Sequence, residues 1–451
     1  MRGLAAALTL LPGAAFAWAL PPSVILTLPT GHYILAAALT VALTALVGSA
    51  APRLPLMTPH LMAERRIWLP VSVTSYVSFL CFSGLILIGF FGSRDPMHNL
   101  MTLVFWTGVW IALPMACMVF GNLWRPLNPW AGPVRSARIL LRRNKSVGLA
   151  RFGQWPAVAG YAGFGWFQIV SVAPDDPSGL ALAASAYWAV IFILAVAEGD
   201  DWLQQGEFLT VFFGYIAKIA PIWSNPSENR TQLFAGWPGT QVLLMPGLRP
   251  SAIAFVTLAL AVLTFDGLSE TFWWMALIGQ NPLEFAGRSA VMWVNTAGLV
   301  SVWAMTSALI LGILYLSRRF GGSGFAAGPV MLGFLAIAAG YHAAHHLVTL
   351  LTTGQYTLFA LNDPLFRGDS LLGLPMFYVS FGFLTQGETM GMIYAAQFAA
   401  ILGAHLLAVV LTLQISARNG AVRAIAHLPM TALMVAYTIL GLWLLSTARG
   451  A

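Results

Sequence analysis

Long apolar runs separated by short polar or basic stretches organise this chain from end to end. A run of about 20 apolar residues is long enough to cross a bilayer core. Inside that core every backbone polar group must pair within its own segment, so these runs predict helices. The pattern places spans at 32–50, 68–92, 100–120, 153–172, 180–197, 251–279, 289–317, 325–353, 389–415 and 427–447. The fold class expected is an all-α integral membrane protein, a bundle of about ten transmembrane helices. It follows a signal-like segment at 1–17, with 18–451 as a single polytopic membrane domain.

Two stretches break the pattern. Residues 202–224 mix Phe212, Phe213 and Ile216 with Glu207 and Lys218, which reads as an amphipathic helix lying at the cytoplasmic interface. Residues 375–386 are apolar but too short to cross, and read as a segment dipping in from outside. Asn225 to Pro250, rich in Pro and Gly, reads as loop. No internal repeat is visible.

Composition sharpens this picture. Of 451 residues, 59% are hydrophobic and 8% are charged, against about 25% charged in an ordinary soluble domain. A water-facing surface needs more charge, so lipid is the solvent and the bilayer the principal partner. The net charge of +7 does not point to nucleic acid, because the basic residues cluster in alternate loops. These are Arg53, Arg65 and Arg66; Arg125, Arg135, Arg138, Arg142, Arg143, Lys145 and Arg151; Arg318 and Arg319; Arg418 and Arg423. Basic loops stay in the cytoplasm. The large loops at about 121–152 and 198–250 are therefore expected there, and both termini on the periplasmic side of a bacterial inner membrane. The N-terminal Arg2, apolar stretch and Ala15-Phe16-Ala17 resemble a secretory signal cleaved after Ala17. Cys81 and Cys117 both lie in apolar segments and suggest no disulfide.

Ionisable side chains inside a span are costly, about 2.5–3.5 kcal/mol each at a helix centre, and so mark function. The sixth predicted span carries Asp266 and Glu270, four residues apart on one face. Two carboxylates there need a cation, a proton or a basic partner. The eighth carries His342, His345 and His346, with the i, i+4 spacing that grips a metal ion from one side. Glu270 lies about 13 Å from the outer end of its predicted span at 1.5 Å per residue, and His345 at a similar depth. If the helices touch, these five residues form one site in the outer half of the membrane. Nitrogen and oxygen donors suit a divalent zinc, iron or manganese ion. The competing reading is that the same groups only hydrogen-bond two helices together. His405 is a further candidate ligand, lying deeper; His32, His60, His98 and His427 fall at helix ends or loops. Arg367, in the outer loop, is a candidate for contacting substrate, or for closing a turn with Asp363. Residues 121–130, with Trp124, Arg125 and Trp130, read as an interface anchor.

Four strings resemble a known family. They are Asn-Leu-Trp-Arg-Pro-Leu-Asn-Pro-Trp at 122–130 and Thr-Phe-Asp-Gly at 264–267. To these add the stretch from His342 through Gly354-Gln355 to Asp363-Pro364 and Arg367-Gly368, and the run from Met434 to Leu445. In their order along the chain they resemble bacterial polytopic membrane proteins labelled fenitrothion hydrolase, from about residue 25 to the C-terminus. The resemblance implies hydrolysis of an organophosphate triester in the membrane, acting on a small lipophilic substrate, with a second related membrane subunit as partner. It assigns no catalytic residues. The family pattern often has an aromatic residue at the position of His346. Asp266 and Glu270 are then the expected catalytic carboxylates, as metal ligands or general base, beside His342, His345 and His346. A proton-coupled transporter using the same groups, and a non-catalytic assembly subunit, are the alternatives.

Overall fold

The structure, a computed structural model, describes residues 30–50, 58–66, 70–227, 230–281, 287–320, 324–373, 379–420 and 423–447. The signal-like segment lies outside these residues, as does the start of the expected dip at 375–386. Eleven principal helices are α1 (Thr30–Ala50), α2 (Val71–Phe91), α3 (Leu100–Phe120), α4 (Trp155–Ile169), α5 (Pro177–Glu198), α6 (Phe208–Ile216), α7 (Pro250–Ser269), α8 (Arg288–Arg319), α9 (Phe334–Asn362), α10 (Gly387–Arg418) and α11 (Leu428–Ser446). Among the described residues, nine of these are long and apolar enough to cross a membrane; α4 and α6 are the exceptions. The protein is an all-α, multi-pass membrane bundle.

The expected span at 153–172 forms the 15-residue α4, about 22 Å long. It nevertheless traverses the same layer as its neighbours. At one end the Gln154 N–H donates to Ser251 Oγ at the start of α7, and at the other the Gln168 and Ile169 carbonyls accept from Arg288 at the start of α8. Burial ranks the helices. In α7 and in the span containing α9, 72% of the most apolar window is buried, against 6% in α2. Helices α7 and α9 are therefore central and α2 faces outward. Gly340 lets α9 press against α10, since a Cβ there would stand 2.3 Å from Ala404 Cβ. Close backbone approach over small residues is how helices bind in lipid, where burial of apolar surface offers no gain.

Two expectations need correction. Residues 202–224 do not form an interfacial helix. Leu203–Gly206 leads inward, and α6 returns toward the end that carries Trp124 and Gln154. Phe208, Phe212 and Phe213 are buried throughout, and Glu207 is fully enclosed. The acid is tolerated because it caps α6. Its Oε1 accepts from Leu209 N–H and Tyr187 Oη, and its Oε2 from Thr210 N–H and Oγ1, all at 2.6–2.8 Å. A chain that enters and leaves on one side is admissible when enclosed in protein.

The second correction concerns the presumed loops. His60–Arg66 (β1), Ile222–Ser227 (β2) and Arg230–Ala235 (β3) make a three-stranded antiparallel sheet in the order β1-β3-β2. It sits at the end where Arg135 pairs with Asp200 at 2.7 Å, and Glu64 and Arg230 pair within the sheet at 3.2 Å. The described part of the expected outer dip, 379–386, is a short turn whose Leu384 packs with Met390, Ile393, Leu347 and Val348.

Glu207→Ala removes the acceptor for four donors at once. An orphaned buried donor costs about 1–3 kcal/mol and loss of an N-cap about 1 kcal/mol. Detergent-solubilised protein should therefore unfold several degrees lower by circular dichroism, whereas exposed Glu64→Ala should hardly shift.

Candidate metal centre

The site is built where α7 meets α9. Asp266 stands three residues before the end of α7, and the histidines one-third of the way along α9. His345 Nε2 and Asp266 Oδ2 are 2.9 Å apart, with side chains only 7% and 15% exposed. Gln168 of α4 donates from Nε2 to the same oxygen at 3.4 Å. The helices come this close because Gly267 follows Asp266. A Cβ at Gly267 would stand 3.0 Å from Tyr341 Oη and 3.6 Å from His345 Cε1. Tyr341, one turn earlier on α9, stacks on the His345 ring at 5.8 Å and 12°.

His346 completes the cluster. Its ring lies 4.8 Å from that of His345 and 4.6 Å from that of His342, edge to face in both cases. One donor atom from each of Asp266, His345 and His346 falls within 4.8 Å of the other two. A tetrahedral ion with ligands at about 2.0–2.1 Å wants its donors about 3.3 Å apart. Side-chain rotations of about an ångström close that gap. Two imidazoles and a carboxylate are also the donor set of ion sites that keep positions open for substrate or water. The residues present fit a divalent ion.

Sequence reasoning grouped five residues; the structure gathers three. His342 is fully buried, and its Nε2 lies 3.0 Å from the Trp110 carbonyl oxygen. A carbonyl only accepts, so His342 Nε2 carries the proton. His342 thus stands beside the centre with one nitrogen committed. The carbonyl it uses belongs to a nine-residue π-helical stretch, Val104–Ala112, whose wide turns re-aim backbone groups. Thr107 of the same stretch donates to Thr353 on α9.

Glu270 is not an interior residue of a 251–279 helix. Helix α7 ends at Ser269, because Thr271 Oγ1 donates to the Leu268 carbonyl and accepts from Trp274 N–H, starting a short helix at Phe272–Leu277. Glu270 is left at the helix end, where it interacts with Arg288. Arg367 does not join the site either. It is exposed after the end of α9, and 16 residues of helix separate His346 from Asn362, about 24 Å. The turn there is held by Asp363 accepting from the backbone N–H of Arg367 and Gly368, not by an ion pair with the guanidinium. His405 on α10 has its Nδ1 2.9 Å from the Ile401 carbonyl of its own helix and is not among the clustered donors.

Arg288 is the residue the sequence reading passed over. It donates to the carbonyls of Gln168, Ile169 and Ser171, closing the end of α4, and lies within electrostatic reach of Asp175, Asp266 and Glu270. Its signal was available: a lone arginine at the start of a span, at the end opposite the basic loops. An apolar groove of about 440 Å³ lies farther along α9, lined by Leu347, Leu351, Phe383, Met392 and Ile393 between α9 and α10.

Asp175, in the loop between α4 and α5, is pushed up to about 6 by burial, with Arg288 opposing the rise. A folded value above the ordinary 3.8 means that folding favours the protonated acid. That contribution is complete below pH 3.8 and is lost as pH rises through about 6. Between those limits the difference in unfolding temperature between wild type and Asp175→Asn should therefore shift in favour of the variant as pH rises. A difference that stays flat counts against the buried acid.

No protein-family model, no curated protein and no solved structure matches this chain.

Proposed function

We propose that this chain is a membrane-embedded, metal-dependent hydrolase of lipophilic phosphoester-type substrates, centred on Asp266, His345 and His346. The observation that carries the proposal is the convergence of those three donors, from two central helices, within 4.8 Å. Asp266, His345 and His346 would hold a zinc, iron or manganese ion. When bound, such an ion lowers the pKa of a coordinated water toward about 7 and offsets charge on a phosphoryl oxygen.

The protein's own groups do the rest. Asp266 accepts the Nε2 proton of His345 and so fixes the tautomer, leaving Nδ1 as a proton acceptor, and an ion held by this pair would take that proton's place. Gln168 keeps the Asp266 carboxylate turned toward His345. Arg288, near Asp266 and Glu270, places positive potential at the mouth of the site, where an anionic diester product would form. The α9–α10 groove and the exposed apolar helix faces suit a substrate that arrives from lipid. Asp266 lies toward the end of α7 remote from the basic loops, so on the charge-alternation argument the site faces the periplasmic half of a bacterial inner membrane, with both termini on that side.

A proton-coupled carrier is the second reading, favoured by the direct Asp266–His345 pair, which can load and release a proton. Purified full-length protein, equilibrated with zinc and desalted, separates the two. About one ion per chain is expected, falling at least ~10-fold in Asp266→Asn and in His345→Ala, with turnover of a phosphotriester lost in parallel. Equal metal in wild type and both variants sinks the centre. Substrate flux into proteoliposomes driven by a pH gradient, without product, selects the carrier.

A further inference from the structure

Around the Asp266–His345 pair and toward the core of the bundle, several polar atoms are buried without a hydrogen-bond partner: Trp110 Nε1, Tyr161 Oη, Gln168 Oε1, His342 Nδ1 and His345 Nδ1. Buried polar side-chain atoms are nearly always bonded, to protein or to ordered water. These five share one neighbourhood. Gln168 and His345 both bond Asp266 Oδ2. The Trp110 ring lies 5.4 Å from that of His342 and 6.2 Å from that of Tyr161. Tyr161 is in turn within electrostatic reach of Asp266. The surrounding walls are aromatic: Phe212 and Phe255 flank Tyr161 at 5.7 and 5.3 Å, and Phe212 covers His342 at 5.8 Å.

The chemistry of the five atoms selects their ligand. Trp110 Nε1–H can only donate. Gln168 Oε1 can only accept, and so do the two Nδ1 atoms once their rings carry the proton on Nε2. The Tyr161 hydroxyl does both. A cation would be repelled by the indole N–H, and an anion by three lone pairs. Water, with two protons to give and two lone pairs to receive them, meets both demands, and a site with this many polar partners holds it well. We propose that Trp110, Tyr161, Gln168, His342 and His345 line an inner chamber that binds ordered water and supplies it to the Asp266–His345 pair. The chamber rests on the unpartnered polar atoms and on the ring distances that join them. Its role as a supply rests on the hydrolase reading, in which each turnover consumes one water. The water oxygen bonds to phosphorus, the ester bond to the leaving group breaks, and the protons pass to the leaving group and the product acid. Lipid cannot deliver that water, and a chamber on the protein side can.

The test uses full-length, isotope-labelled protein in lipid bilayers. Magnetisation transfer from water to the His342 ring is measured by solid-state NMR, with the buried Phe334 ring as dry reference. Fast transfer to His342 is expected, slowed several-fold in both Tyr161→Phe and Trp110→Phe, which keep an aromatic ring at each position and remove the polar atom. Transfer no faster than to Phe334 overturns the chamber. Fast transfer that neither variant alters overturns its assignment to these residues. Zinc content measured on the same samples keeps the two proposals apart. Tyr161→Phe should retain the metal, and absence of metal from every sample would defeat the hydrolase centre while leaving the water result intact.

Discussion

A carboxylate near the core of a bilayer must find its solvation in protein, and the Asp266–His345 contact is where this chain meets that demand. Insertion of an unpaired acid costs about 2.5–3.5 kcal/mol even on the mildest scale. Pairing removes the penalty only if the partner reaches hydrogen-bond distance and the remaining lone pairs are served. Both conditions constrain the surroundings. Gly267 strips the α7 surface so that α9 can bring His345 to 2.9 Å. Gln168 fixes the distance of α4 by reaching the same carboxylate. Arg288 then ties the end of α4 to the start of α8. Four helices are thus held to one another through one acid and its neighbours.

The same rule governs the other departures from regular helix. Glu207 is enclosed as completely as any residue in the chain, and four donors converge on it. Its presence fixes where the inward path of the chain stops and α6 begins. The π-helical turn in α3 presents the Trp110 carbonyl to His342, which would otherwise bury a ring N–H with no acceptor. In each case an irregularity of backbone coincides with a buried polar group that needs it.

How much of this was legible depends on which rule writes the sequence. The spans were readable because bilayer thickness dictates their length, and nine of them stand close to where hydropathy put them. The pairing of the sixth and eighth predicted spans was readable through depth, since Asp266 and the histidines could lower their cost only by meeting. Capping was not readable at that level. Thr271 ends α7 by a local hydrogen bond, and without that break Glu270 looks like a second interior carboxylate. Helix α6 was misplaced because Glu207 and Lys218 look like a water-facing stripe, and only its partners show that Glu207 is a buried cap. The sheet joins residues 60–66 to residues 222–235, a pairing for which no local periodicity gives notice. Arg367 drew attention as the charged residue of an outer loop, yet the length of α9 alone carries it away from the histidines.

Between the site and the basic end of the bundle lies a block of interlocked rings. Tyr161 stacks on Phe208 at an angle of 4°, Trp110 on Phe212 at 27°, and Trp124 on Phe213 at 15°. Glu207 and Thr210 bind this block to α5 and to the Trp124 segment. A carrier must open its site to each side in turn, and here opening toward the basic end would separate these rings and expose the buried Glu207 cap. Packed aromatic cores resist such separation, since each ring pair contributes about 0.5–1.5 kcal/mol beyond its burial. A site reached from one side and from lipid needs no such movement. The block that hinders alternating access also forms the apolar wall of the inner chamber. On the proposed reading this block is a fixed wall, and a carrier working through the same site would have to break it.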